Sequence, residues 1–239
     1  MLPPITPVIE QELASVYRIY AALAQELDPE SGLGGKLLFV GELDQAACRL
    51  ARAANIAGVA SLAASADSAV VRKAMRDGII DFVVTSLDEA LRILKNEIRK
   101  RQPVAVGVVV SPQIVVKEML ELGVLPDLLP PDIRSDQTDS IELDFARFTA
   151  QGARRVTTQP LSPGMTFLTL SIPSGWAQRT AEFEALVADF LAPDDHANRR
   201  WLRLSPRYLG PQARRIRSLE CDTVTASRIA ERVRQAIQA

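Results

Sequence analysis

A chain of 239 residues with a formal net charge of −1 has room for one large domain, or for one medium domain with a small appendage. Its 47% apolar and 24% charged residues fit a globular protein, and near-neutrality gives no overall pull toward nucleic acid or an anionic membrane. No apolar run reaches the roughly 18 residues of a bilayer span. The two cysteines, Cys48 and Cys221, form no disulfide framework, which favours a reducing compartment. Residues 1–7 lack the basic and apolar regions of a signal peptide, so the expected location is the cytoplasm.

Residues 8–27 place Ile9, Leu13, Val16, Tyr20, Leu23 and Leu27 at three- and four-residue steps, which predicts an amphipathic helix. Asp28-Pro29-Glu30-Ser31-Gly32 supplies the turn after it. From Lys36 short apolar runs alternate with helical stretches. Strands are predicted at 36–40, 58–63, 82–84 and 104–110, with a shorter one at Leu128-Leu129. Helices are predicted at 44–55, 67–76, 87–100 and 112–122. Ser86 ahead of Leu87-Asp88-Glu89 is a helix start with acids in the first turn, and Gly123 is a C-terminal cap. Strands separated by helices of ten or more residues predict a doubly wound, mostly parallel α/β sheet.

After the proline-rich break at 126–131, a helix is predicted at 141–150, closed by Gly152, and a short strand at 155–158. Beyond Pro160 the texture changes. A strand is predicted at 167–172, a helix at 180–191, a turn at Asp194-Asp195, a strand at 201–204 and a terminal amphipathic helix at 223–238. The expected organisation is a helical segment at 1–34, the α/β domain at 35–160 and a smaller α+β region at 161–239.

Three stretches of the α/β domain have a family look. They are Ala54-Asn55-Ile56-Ala57-Gly58-Val59-Ala60-Ser61-Leu62; Arg76-Asp77-Gly78-Ile79-Ile80-Asp81 with Leu87-Asp88-Glu89-Ala90; and Val106-Gly107-Val108-Val109 with the run from Glu118 to Asp127. In this order, almost without gaps from about residue 35 to 129, they resemble the NAD-binding, Rossmann-like domain of urocanase (urocanate hydratase). The resemblance implies that fold and, in the family, bound NAD acting as an electrophile.

The departures fall on the chemistry. The positions of the family's NAD site correspond to Gly41, Asp44, Ser65 and Ser111. Where the family has its glycine-rich diphosphate loop, this chain has Asp44-Gln45-Ala46-Ala47-Cys48-Arg49-Leu50. Glycine is needed there for the tight turn and for close approach of the pyrophosphate. Asp44, at the predicted start of a helix, places negative charge at the positive end of the dipole. Ser65 stands where an acidic ribose ligand is expected, with Asp67 nearby, and Val110-Ser111 replaces a Gly-Asn pair. Pro130-Pro131-Asp132 stands where Asp-Gln-Thr should follow, and Asp136-Gln137-Thr138 occurs a few residues later. The family's long catalytic portion has no counterpart.

These departures lead to the expectation of a urocanase-like protein without urocanase catalysis and without NAD, binding a small ligand or a protein partner. Three alternatives stay open: a nucleotide held in an altered Rossmann site, a urocanase-related lyase completed by a companion subunit, and a polyanion bound by arginines. Arg199, Arg200, Arg203 and Arg207, followed by Arg214, Arg215 and Arg217, interleave with Trp201 and Tyr208 in a way that suits phosphates and bases. Pairing with Glu182, Glu184 and Asp189 is the other reading, and neutrality of the whole chain weighs against nucleic acid.

Further candidates are weaker. Cys48 sits early in a helix beside Arg49, where a thiol can be activated, or it is a small buried residue. The acids flanking Cys221 disfavour its thiolate. Asp194-Asp195-His196 is read as a solvated turn, because adjacent residues seldom converge on one metal ion. Ser174-Gly175-Trp176 follows a strand, as ligand sites in α/β folds do, or Trp176 packs over the sheet edge. The apolar faces of the first and last helices serve the chain's own core or a homodimer.

Overall fold

The computed structural model describes residues 5–131 and 139–238. Asp132 and the Asp136-Gln137-Thr138 stretch lie outside them. Contacts divide the chain into two units, one running Ile19–Thr158, the other taking the chain up to Arg18 together with everything from Gln159. Helix α1 (Pro7–Leu23) is shared between them, and its continuation to Glu26 tightens into a 3-10 turn.

The larger unit follows the predicted alternation. Its elements are β1 (Leu37–Glu42), α2 (Gln45–Ala57), β2 (Ala60–Ala64), α3 (Ser68–Arg76), β3 (Phe82–Val84), α4 (Leu87–Arg99), β4 (Ala105–Val108), α5 (Pro112–Glu121), β5 (Leu128–Leu129), α6 (Asp139–Ala150) and β6 (Arg154–Arg155). The six strands lie in the order β3-β4-β2-β1-β5-β6, and every neighbouring pair is parallel. This is a doubly wound, Rossmann-like sheet.

Alternation along the strands sorts side chains between the two faces. Leu37, Phe39, Leu62, Val106 and Val108 join Leu91, Val116, Phe145 and Phe148 in one core under α4, α5 and α6. Phe39 and Phe145 meet edge to face with centroids 6.0 Å apart. Helix α2 rests on β1 and β2. On the α3 side Gly107 lies so near its neighbours that a Cβ there would stand 2.6 Å from Ile80 Cδ1 and 2.8 Å from Val71 Cγ1.

Local chemistry sets the boundaries. Ser86 accepts the Glu89 N–H at 3.3 Å, while the Glu89 carboxylate accepts the Thr85 N–H at 3.1 Å, closing both ends of a capping pair. At the amino ends of the strands, two aspartates clamp neighbouring strands. Asp127 accepts the Leu37 N–H at 2.7 Å, and Asp81 accepts the Ala105 N–H at 2.8 Å.

The smaller unit holds two antiparallel strands, β7 (Met165–Ser171) and β8 (Ile216–Asp222), paired from Met165↔Asp222 to Ser171↔Ile216. Helices α7 (Thr180–Ala188), α8 (His196–Tyr208) and α9 (Thr223–Gln238) complete it with the start of α1. One core gathers Ile172, Phe183, Val187, Leu202, Leu219, Ile229 and Val233.

One expectation is corrected here, and one strand was missed. The predicted strand at 201–204 lies inside α8, where Asp195 caps the first turn by accepting the Asn198 N–H at 2.9 Å. The helical period then buries Trp201, Leu202 and Ser205 and leaves Arg203 and Arg207 in solvent. The strand β8 was not foreseen, because Arg217, Glu220 and Asp222 interrupt its apolar pattern.

Candidate functional site

The chain leaves β1 through α2 on one face of the sheet and returns to β5 through α5 on the other. The carboxyl ends of β1 and β5 therefore flank the point where the winding reverses, and open α/β sheets bind ligands in the crevice outside such a point. The loops there are Glu42-Leu43-Asp44 and Pro130-Pro131.

Strand β1 ends irregularly. Phe39 pairs with Leu62 but Gly41 with Ala63, so Val40 is an extra residue, a β-bulge. Gly41 carries φ of 90°, a left-handed conformation that disfavours any side chain. The bulge turns the chain into Glu42, which is exposed, and Leu43, which is only 5% exposed and donates its N–H to Ala64 O at 3.2 Å. Asp44 follows as the N-cap of α2, its carboxylate accepting the Ala47 N–H at 2.7 Å.

The next carboxyl end is similar. Ser65, just past β2, is buried, and its hydroxyl accepts the Asp67 N–H at 3.3 Å. Asp67 in turn caps α3 by accepting the Ala69 N–H at 2.7 Å. Ser111 is the N-cap of α5 without a side-chain cap hydrogen bond. Gly41, Asp44, Ser65 and Ser111 thus all stand at the carboxyl edge of the sheet. What sequence reasoning missed there is the bulge at Val40; the lone glycine closing an apolar strand was its available signal.

Cys48, in the first turns of α2, is half-buried, and burial pushes its thiol up more than Arg52 pulls it down. Cys221 is buried in β8, and burial first, then Asp222 and Glu220, push its thiol up to about 11. Neither is activated.

The arginines have separate tasks. Arg199 donates to the carbonyls of Leu191 and Ala192 at 3.0 and 3.4 Å. Arg207 sits 5.3 Å from the Tyr208 ring centroid. Arg199, Arg203 and Arg207 fall at four-residue steps along one side of α8, with Arg200 one position round. Arg217 is buried, with Nε and Nη2 at 2.8 and 2.6 Å from one oxygen of Glu184. Glu182 is taken instead by Arg179. His196 opens α8 in an exposed position, and among the described residues no three His, Cys, Asp or Glu side chains converge as metal ligands.

Trp176, in a 3-10 turn at Ser174–Trp176, packs edge to face on Phe183 with centroids 6.3 Å apart, under the Arg179 guanidinium at 4.3 Å. With Glu182, Leu186, Asp189 and Arg232 it lines a shallow cleft of about 590 Å³ between α7 and α9.

The larger unit is therefore a Rossmann-like α/β domain whose carboxyl edge carries three self-capped helix starts, those of α2, α3 and α4. Among the described residues, no helix is long and apolar enough to cross a membrane. A family model described as the urocanase Rossmann-like domain matches residues 15–143, more than half of the chain. The chain belongs to the urocanase family.

Proposed function

We propose that this urocanase-like chain holds no dinucleotide at its β1–α2 turn, does not hydrate urocanate, and acts by binding a small ligand or a protein partner. The observation that carries this reading is the Asp44 cap. A diphosphate at this turn requires free backbone donors, a positive dipole end and no side chain in the way. Here the Ala47 donor is spent on Asp44 at 2.7 Å, and the carboxylate adds negative charge where phosphate charge would rest.

The ribose side supports the same reading. Ser65 and Asp67, the residues nearest to the family's ribose position, are both engaged by backbone N–H groups of their own loop. The residues present do not fit NAD in the family's manner, so no catalytic step is routed through it. Glu42, beside the reversal point, and Ser111, past the end of β4, remain as polar side chains along this carboxyl edge, suited to a ligand with hydrogen-bond donors.

The test is calorimetric titration of the full chain with NAD, beside an assay of urocanate consumption. No binding heat and no loss of urocanate are expected. Stoichiometric NAD carried through desalting, or steady urocanate hydration, refutes the reading. A thermal-shift screen of small metabolites then searches for the ligand, with stabilisation of about 2.7 kcal/mol at a hundredfold excess over Kd.

A further inference from the structure

The two-stranded sheet of the smaller unit has two edges, and they differ. The register pairs Ile172 with Arg215 and Gly164 with Thr223 through Ile172 N–H to Arg215 O at 2.8 Å and Thr223 N–H to Gly164 O at 3.1 Å. Even-numbered residues of β7 therefore face β8, and the odd-numbered ones turn their N–H and C=O groups outward. On β8 the outward residues are the even-numbered ones.

Helix α8 covers the β8 edge. Asn198 donates to Glu220 O at 3.3 Å, and the Trp201 indole donates to Ser218 Oγ at 3.4 Å. The β7 edge has no such cover. Met165 donates its N–H to Ser162 O at 3.0 Å. The backbone N–H and C=O groups of Phe167, Thr169 and Ser171 have no partner among the described residues.

Both faces of β7 are occupied, so only this edge is open. Leu168 and Leu170 pack on the α7–α9 core, while Phe167 lies 5.4 Å from the Tyr17 ring and packs with Leu13 and Ile216. The strand, Met165-Thr166-Phe167-Leu168-Thr169-Leu170-Ser171, carries no charge and no proline. Protected edges carry lysines, prolines or bulges against pairing, and β7 has none of these.

We propose that β7 pairs antiparallel with β7 of a second copy, joining two sheets into one of four strands. The register is self-complementary. With Thr169 facing its own copy across the two-fold axis, Phe167 meets Ser171 and Ser171 meets Phe167, so all three open residues become hydrogen-bonded pairs. Each gives one N–H and one C=O, and the two copies close six hydrogen bonds. Centring on Leu168 instead would call on the Met165 N–H, which Ser162 already holds. Isologous closure ends the assembly at two copies, because the outer edges of the new sheet are the two β8 edges under α8.

Sedimentation equilibrium of the full chain tests this, from micromolar to submillimolar concentration. The expected result is a monomer–dimer equilibrium in which the amides of Phe167, Thr169 and Ser171 exchange hydrogen more slowly as concentration rises. Thr169→Pro deletes an outward N–H without touching the pairing to β8. It does so twice by symmetry, raising the dimer dissociation constant about tenfold or more. Ser171→Pro does the same off the axis, and circular dichroism reports whether either variant is folded. If both variants unfold, exchange in the unaltered chain decides. A monomer throughout the range overturns the proposal. So does a dimer in which those three amides gain no protection, a folded Thr169→Pro variant that dimerises unchanged, or a monomer that takes up an unrelated extended peptide along this edge.

Discussion

Arg217 and Glu184 form an ion pair across the smaller unit, with two of the three guanidinium nitrogens, Nε and Nη2, on a single carboxylate oxygen. The arginine side chain is 4% exposed and its partner 24%. Its remaining nitrogen, Nη1, donates to the carbonyls of Arg214 and Ile216 at 3.1 and 2.9 Å. Removing one member of such a pair strands the other as an uncompensated buried charge. Glu184→Ala should therefore cost about 3 kcal/mol in urea unfolding. The double variant Glu184→Leu/Arg217→Met should recover most of that, since replacing both members by apolar groups is far cheaper than breaking the pair. A double variant as unstable as the single one would mean that the charge is not the cause.

The Asp44 cap has a separable energetic signature. Asp44→Ala leaves the Ala47 N–H without its acceptor and should lower stability by about 1 kcal/mol, whereas Asp44→Gly should cost only a few tenths. Denaturant midpoints measured side by side give the difference. No loss in the alanine variant would show that the carboxylate does not hold the helix start.

The Cys221 thiol, pushed up to about 11 mainly by burial, makes stability depend on alkaline pH. The unfolded chain releases this proton in the ordinary thiol range, while the folded chain keeps it until about 11. Between those limits the unfolded state binds fewer protons, so stability is complete below the window and falls as pH rises through it. Melting temperatures over that range should fall more steeply for the native chain than for Cys221→Ala. In the same range Cys221 should resist alkylation until the protein unfolds.

Gly107 is a steric requirement in the middle of β4. A methyl group there meets Ile80 Cδ1 at 2.6 Å and Val71 Cγ1 at 2.8 Å, closer than any relaxed contact. Gly107→Ala should destabilise the larger unit by about 1–3 kcal/mol through overpacking. Adding Ile80→Val, which removes the nearer methyl, should return part of the loss. Chemical denaturation of the single and double variants measures the coupling.

The larger unit was readable because its signals are local. Asp44 before Gln45, Asp67 before Ser68 and Ser86 with Glu89 mark helix starts from within one turn, and apolar runs such as Val104–Val108 announce strands buried on both faces. The carboxyl-edge residues Gly41, Asp44, Ser65 and Ser111 were locatable for the same reason: each stands next to a boundary. The smaller unit was harder. Trp201-Leu202-Arg203-Leu204 alternates like a strand for four residues, and only the Asp195 cap and the burial of Ser205 reveal the helical period.

Sequence alone thus determined the doubly wound order of strands and helices, since spacing and capping act between neighbours along the chain. It also carried the likeness to the urocanase Rossmann-like domain. Tertiary structure decided the rest. Arg217 can lie inside a strand only because Glu184, 33 residues away, meets it there, and the extra residue Val40 appears only when β1 is set against β2. Likewise, only the folded arrangement shows that α8 lies over the outer edge of β8 and not over that of β7. Each of these depends on the desolvation and hydrogen bonding of groups far apart in sequence, and no local pattern records where such groups come together.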